Sequence, residues 1–170
     1  MGKIIEEGHP GRTTVHDDPT TGEYRNSIRV LPALLESHKP LDLVILKLGT
    51  NDLKSCFHVS AADIAFFLDR LVRLIRAAGA GPNGVEPQVL VVAPPPILEV
   101  GCLAEMFAGG AAKSHGLAAA IQSMTTRLHT GFFDAGRVIA VSPVDGIHYE
   151  AEAQVQLGLA LATAVRAQLA

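Results

Sequence analysis

Two short blocks hold the residues best suited to chemistry. Asp145-Gly146-Ile147-His148 places a carboxylate three residues before an imidazole in a loop. At that spacing the carboxylate can hydrogen-bond one ring nitrogen, fixing the tautomer and stabilising the imidazolium. The other nitrogen is then left to take a proton. Gly49-Thr50-Asn51-Asp52 follows an apolar run, and Asn51 carries an amide donor of the kind that steadies the negative oxygen of a tetrahedral intermediate. Each block also has a plainer reading. Gly, Thr, Asn and Asp are favoured in a strand-to-helix turn for backbone reasons alone. Asp-x-x-His is a short, common pattern that also fits a loop carboxylate near an exposed histidine.

The elements that must position these blocks alternate along the chain. Ile4-Ile5 reads as a short strand, followed by a long Gly/Pro/Thr/Asp-rich loop over residues 8–26. A helix is expected over residues 31–37, with Pro32 tolerable only near its first turn. Residues 41–48 form an almost continuous apolar run of the length and flanks of a strand covered on both faces, as in a parallel sheet. Ser60 then caps a helix, with Asp63 in its first turn and Ile64, Phe67, Leu68, Leu71, Leu74 and Ile75 at helical spacing up to Gly79. Val89-Leu90-Val91-Val92 is a second buried strand, cut off by Pro94-Pro95-Pro96. A helix over residues 111–128, a short strand at Phe132-Phe133 and a terminal amphipathic helix over residues 151–169 complete the pattern. Alternation of this kind predicts a single α/β domain over residues 1–170 with a mainly parallel sheet. The stretch from Pro94 to Gly110 is long for a connection and is a candidate lid or interface segment. Within it, Met106 and Phe107 would pack in the core or an interface, or line an acyl pocket.

With 170 residues, 48% of them hydrophobic, and a net charge of -3, the chain has the composition of a soluble globular protein with no basic footprint for nucleic acid or a membrane surface. Its start, from Met1 to Glu7, shows no signal peptide, Gly2 lacks the downstream Ser/Thr of a myristoylation motif, and every apolar run is too short to span a bilayer. A cytoplasmic location follows, with Cys56 and Cys102 as free thiols. His9, His16, Asp17 and Asp18 cluster early, but without metal-ligand spacing. They read as a solvated polar loop in which Arg12 and the Asp17-Asp18 pair organise the turn that carries Gly11. His58, His115 and His129 read as ordinary polar positions near helix ends. No Gly-rich phosphate loop occurs. No metal site and no cofactor are expected.

Taken together and in this order, the blocks are more specific than either alone. The sequence resembles the SGNH or GDSL-type hydrolases, most nearly the bacterial arylesterase and acyltransferase branch. The resemblance runs through Ile5-Glu6-Glu7-Gly8, Gly11-Arg12-Thr13-Thr14, Leu41-Asp42-Leu43-Val44-Ile45, Leu48-Gly49-Thr50-Asn51-Asp52, residues 89–96, Phe132-Phe133-Asp134-Ala135-Gly136 and Val144-Asp145-Gly146-Ile147-His148. It implies a flavodoxin-like three-layer α/β/α fold and a Ser-His-Asp mechanism on short-chain or aryl esters. In that mechanism His148 is the general base, Asp145 orients it, and the Gly11 N–H and the Asn51 amide form the oxyanion hole. It also implies a small-molecule ester substrate and a homo-oligomer.

The departure from the family pattern matters equally. None of Ser27, Ser37, Ser55, Ser60, Ser114, Ser123 and Ser142 lies in a Gly-Asp-Ser setting, so no residue of the chain is assigned as nucleophile. The family's nucleophile lies on a first, central strand, and this chain starts at the family's second. The expected consequence is that the strands near Lys3 and Leu41 face each other across a gap with unpaired N–H and C=O groups. A separate segment, direct pairing of the two strands, or another protomer could compensate. Function then divides three ways: an esterase completed by a serine from elsewhere, an inactive truncated homologue that binds ligands or serves assembly, or residual hydrolysis with water activated by His148.

Overall fold

Three parallel strands, β1 (Leu43–Leu46), β2 (Gln88–Ala93) and β3 (Gly131–Asp134), lie side by side in that order. Val44 pairs with Val89 and Leu46 with Val91, while Val91 faces Phe132 on the other side. The computed structural model describes residues 3–170; Met1 and Gly2, read above for a leader or an acylation motif, lie outside them. Alternation along each strand sends side chains to two separate cores. On one face Leu46, Val89, Val91 and Ala93 pack with α1 (Ser27–His38), α2 (Ala61–Ala77) and α4 (Leu117–Leu128). On the other, Leu90 and Val92 pack with Leu157, Leu161 and Val165 of α5 (Ala151–Leu169). The result is the expected α/β/α layering around a parallel sheet.

Local signals explain some element boundaries. Ser60 and Asp63 close a reciprocal capping box at the start of α2: the Asp63 N–H donates to Ser60 Oγ at 3.2 Å, and the Ser60 N–H donates to the Asp63 carboxylate at 2.8 Å. Ile64, Leu68, Leu71, Val72 and Ile75 are then fully buried. His58 and His129 adopt left-handed backbone at the ends of their helical turns.

Several expectations need correction. The first helix starts at Ser27, four residues earlier than expected, because the Asn26 side chain caps it by accepting the Ile28 N–H at 3.1 Å. Pro32 consequently sits inside the helix. The helix expected over residues 111–128 is two: α3 (Gly110–Ser114) and α4 are separated at His115-Gly116. At the break the Ser114 hydroxyl donates to the Ala111 carbonyl and accepts the Ile97 N–H. Ile4-Ile5, expected as a short strand, forms none, and Ile4 is 91% exposed. β1 is shorter than its apolar run and is covered unevenly: Ile45 is 45% exposed, and among the described residues β1 pairs with β2 alone.

Within the long connection from Pro94 to Gly110, Phe107 is 2% exposed and serves the core, whereas Met106 stands out at 48%.

Candidate active site

Because all three strands are parallel, their C-terminal ends share one edge of the sheet, where ligands bind in open α/β folds. The loop after β1 carries Asn51, and the loop between β3 and α5 carries Asp145 and His148.

The Asp145–His148 pair forms as its spacing predicts. Asp145 Oδ2 lies 2.6 Å from His148 Nδ1, while Oδ1 accepts the backbone N–H groups of His148 and Ile147, both at 2.9 Å. These two backbone bonds, then the bond to the ring, hold the Asp145 carboxyl down at about 2. No group among the described residues hydrogen-bonds His148 Nε2, and the His148 side chain is 69% exposed. The imidazole is therefore oriented from behind by an ionised carboxylate and open in front. Since the carboxyl is depressed in the fold, the pairing contributes stability fully above the unfolded value of 3.8 and loses it as the pH falls toward about 2. A carbon-detected titration of Asp145 should accordingly show a midpoint near 2; a midpoint near 4 would mean that the pair does not form in solution.

The loop around this pair is tied down on several sides. The Gly146 carbonyl accepts the Leu98 N–H and its own N–H donates to the Ser142 carbonyl, both at 2.9 Å. The Ser142 N–H reaches the His148 carbonyl at 2.7 Å, and the Ser142 hydroxyl donates to the Glu150 carboxylate. Ile147 is buried in the larger core, and Tyr149 packs beneath α5, where burial pushes its hydroxyl up to about 12. The long connection thus braces the His148 loop through Leu98.

The other half of the site joins two distant segments. Gly11 has φ 75°, a left-handed conformation that a side chain disfavours. Its N–H has no acceptor among the described residues. The Asn51 amide donates to the Arg12 carbonyl at 3.1 Å, which leaves its second N–H for another acceptor. Beside it, Asp52 is fully buried and accepts the Thr14 N–H (3.0 and 3.1 Å) and the Thr14 hydroxyl (2.5 Å). Burial pushes the Asp52 carboxyl above its ordinary range, against the pull of the Thr14 bonds.

Asp52 is the residue that sequence reasoning undervalued. It was legible only as part of a turn, and its partner lies 38 residues away. The early His/Asp cluster is also more structured than a solvated loop. His16 stacks on Phe57 at 4.7 Å, Asp17 pairs with Arg29 at 2.6 Å, and Asp18 is buried against Lys54 at 2.6 Å. No group of three metal-binding side chains occurs among the described residues. Burial opposes the Asp18 charge, but the Lys54 ammonium and the N–H groups of Thr21 and Thr20 outweigh it and hold the carboxyl well below its usual range. Replacing Lys54 with methionine strands that carboxylate, and should lower the unfolding free energy by about 3 kcal/mol. The loss should be full above about pH 4 and fade below it, as Asp18 protonates in the unfolded chain. Urea unfolding at pH 7 and pH 3 checks both; an equal loss at the two pH values would contradict the assignment.

The chain is similar to solved esterases over nearly its whole length. The chain is similar to the aryl esterase of M. smegmatis at 40% identity, covering 98% of this chain and 79% of that one, with a TM-score of 0.91. It is similar to a carbohydrate acetylesterase from Sinorhizobium meliloti at 42% identity, covering 96% and 78%, with a TM-score of 0.90. A GDSL-like lipase from Bacteroides thetaiotaomicron shares the fold alone, at 17% identity and a TM-score of 0.66. A search of curated proteins found no match. No helix among the described residues is long and apolar enough to cross a membrane. The model of the GDSL-like lipase/acylhydrolase family matches residues 2–154, and the chain belongs to that family.

Proposed function

We propose that the protein is a carboxylic ester hydrolase and acyltransferase acting on short-chain or aryl esters. The observation that carries this reading is the Asp145–His148 pair, oriented at 2.6 Å with its far nitrogen open, on the same sheet edge as Asn51 and Gly11.

In the proposed cycle a serine hydroxyl adds to the ester carbonyl carbon while His148 Nε2 takes its proton. The Gly11 N–H and the free Asn51 N–H hold the resulting oxyanion. Collapse breaks the ester C–O bond, and His148 returns the proton to the departing alcohol. Water, or a second alcohol, then adds to the acyl-serine with His148 again as base, and the carboxylic acid or new ester leaves. Asp145 stays ionised throughout and balances the imidazolium. The attacking serine is not one of the seven in this sequence. Of these, Ser27, Ser60, Ser114 and Ser142 are committed to structural hydrogen bonds.

The M. smegmatis relative is described as an aryl esterase and the S. meliloti relative as a carbohydrate acetylesterase, which supports small acyl groups. Homo-oligomerisation belongs to the same proposal, with exposed Met106 as one contact. A second reading, an inactive homologue that binds esters without turning them over, is favoured by one observation. No hydroxyl among the described residues hydrogen-bonds the His148 ring. Hydrolysis of p-nitrophenyl acetate beside p-nitrophenyl octanoate tests the choice. The proposal expects turnover that favours acetate, and saturable binding without turnover would favour the second reading.

A further inference from the structure

The loop over residues 8–26 brings a cation against the backbone of Gly11. A parallel bridge pairs Thr13 with Asn26, and the Thr13 N–H donates to the Arg25 carbonyl at 3.0 Å. That pairing fixes Arg25 beside the turn that holds Gly11. A Cβ built on Gly11 would lie 3.0 Å from Arg25 Nη1, 3.3 Å from Cζ and 3.5 Å from Nε. The guanidinium therefore lines the side of Gly11 from which a side chain would project. Arg12 follows directly, and its carbonyl accepts the Asn51 amide at 3.1 Å. Arg25 thus touches the segment that ties the two proposed oxyanion donors together.

No carboxylate pairs with this guanidinium among the described residues, although acids surround it in sequence. Each of them is taken by another group. Asp17 pairs with Arg29 at 2.6 Å, Glu23 with Arg29 at 3.4 Å, Asp18 with Lys54 at 2.6 Å and Glu7 with His38 at 2.6 Å. Glu6 accepts the Gly8 N–H at 2.7 Å. The one side-chain partner of the Arg25 guanidinium among the described residues is His9, whose Nδ1 lies 2.8 Å from Nη1. Arginine keeps its protons, so Nη1 donates and the imidazole accepts as a neutral ring. A neutral acceptor positions the guanidinium without cancelling its charge. Arg25 Nε is buried without an acceptor, and Nη2 makes no hydrogen bond among the described residues. Tyr24 completes the cluster. It is 49% exposed, with the Arg25 guanidinium 5.2 Å from its ring centre and the His9 ring edge-on at 5.7 Å. An exposed aromatic ring beside an uncancelled cation suits a flat ligand ring that carries a negative charge.

We propose that Arg25, with Tyr24, is a specificity determinant of this site, and that it selects aryl esters whose leaving group carries a carboxylate. The carboxylate pairs with the guanidinium through Nη2 and the aryl ring lies along Tyr24, while the ester carbonyl sits at Gly11 and Asn51. The acyl group proposed above is small, which leaves the alcohol part of the substrate to carry both ring and charge. A ligand carboxylate meets a guanidinium that no acid of the chain neutralises, so it gains the pairing without breaking an existing ion pair. That the anion belongs to an ester rests on the esterase reading; the anion subsite does not.

The test uses the full 170-residue chain and two matched acetates, 4-acetoxybenzoate and its neutral counterpart 4-acetoxybenzamide. The readout is the ratio of kcat/KM for the anionic over the neutral ester, in the unaltered chain, Arg25→Gln and Arg25→Lys. A ratio cancels any general loss of site geometry, and the Arg25 carbonyl that anchors Thr13 survives both substitutions. The ratio should fall about tenfold in Arg25→Gln and be largely kept in Arg25→Lys, and added salt should lower it in the unaltered chain. A ratio unchanged in Arg25→Gln would overturn the proposal and leave the esterase reading standing. If neither ester is turned over, the esterase reading falls, and binding of the two phenols, 4-hydroxybenzoate and 4-hydroxybenzamide, decides the subsite. Shifts of the Gly11 amide and Tyr24 ring signals follow that binding. A preference of about tenfold for the benzoate, removed by Arg25→Gln, would uphold the subsite; equal binding of the two phenols would overturn it.

Discussion

Replacing Asp52 with alanine should lower the unfolding free energy by about 3 kcal/mol, because two buried donors of Thr14 lose their acceptor at once. Asp52 and Thr14 are both fully buried, so water can replace the carboxylate only by opening the loop. The opening matters for chemistry as well as stability. Thr14 is three residues from Gly11, and Asp52 is next to Asn51, so this clamp and the 3.1 Å Asn51–Arg12 bond fix both proposed oxyanion donors relative to each other. Asp52→Asn keeps one acceptor oxygen and should lose roughly half as much, with Thr14→Ala similar. Urea unfolding of the three variants measures the losses, and faster amide exchange over residues 11–14 in Asp52→Ala reads the loop directly. A loss below about 1 kcal/mol in Asp52→Ala would mean that the clamp is not made.

Gly146→Ala should disturb the site still more. Gly146 has φ 75°, and a Cβ there would lie 2.1 Å from the Leu98 carbonyl oxygen and 2.8 Å from its carbon. The left-handed backbone alone costs a side chain about 1–2 kcal/mol. The clash cannot be relieved by turning a side chain, since the obstacle is the backbone that also donates to Gly146. The loop must move, and His148 moves with it. Displacements of this size at a catalytic group cost about a hundredfold in rate. Gly109→Ala is the matched control: its φ is 79° but nothing lies within 4 Å of its Cβ, so it should show the backbone strain alone. Thermal unfolding and ester turnover of the two variants side by side decide the matter. Equal effects would show that the Leu98 contact is not what holds the loop.

How much of this was legible in the sequence depended on the range of the interaction. Short-range signals read correctly: the Ser60/Asp63 capping box, the terminal helix over Ala151–Leu169 and the Asp145–His148 pair all bind within four residues of sequence or by helical period. The order of the blocks supplied the family. Long-range facts were hidden. Ile4-Ile5 has the composition of a strand, but a strand exists only with a partner, and neither residue reports whether one is beside it. The same holds for Ile45, whose exposure is not a property that the run from Leu41 to Leu48 displays. Asp52 looked like one polar turn residue among four, because Thr14, which gives it a structural role, is far away in the chain. The buried Lys54–Asp18 pair was missed for the same reason, 36 residues separating its members.

The central claim is that His148, held by Asp145, is the base of an acyl-transfer site. Its most direct test is p-nitrophenyl acetate hydrolysis by the 170-residue chain beside its His148→Ala variant. General-base catalysis typically contributes about 10²–10⁴-fold, so the variant should be slower by at least a hundredfold, whether the attacking oxygen comes from a serine or from water. Rates that cannot be told apart would contradict the claim and leave binding or assembly as the role of this fold.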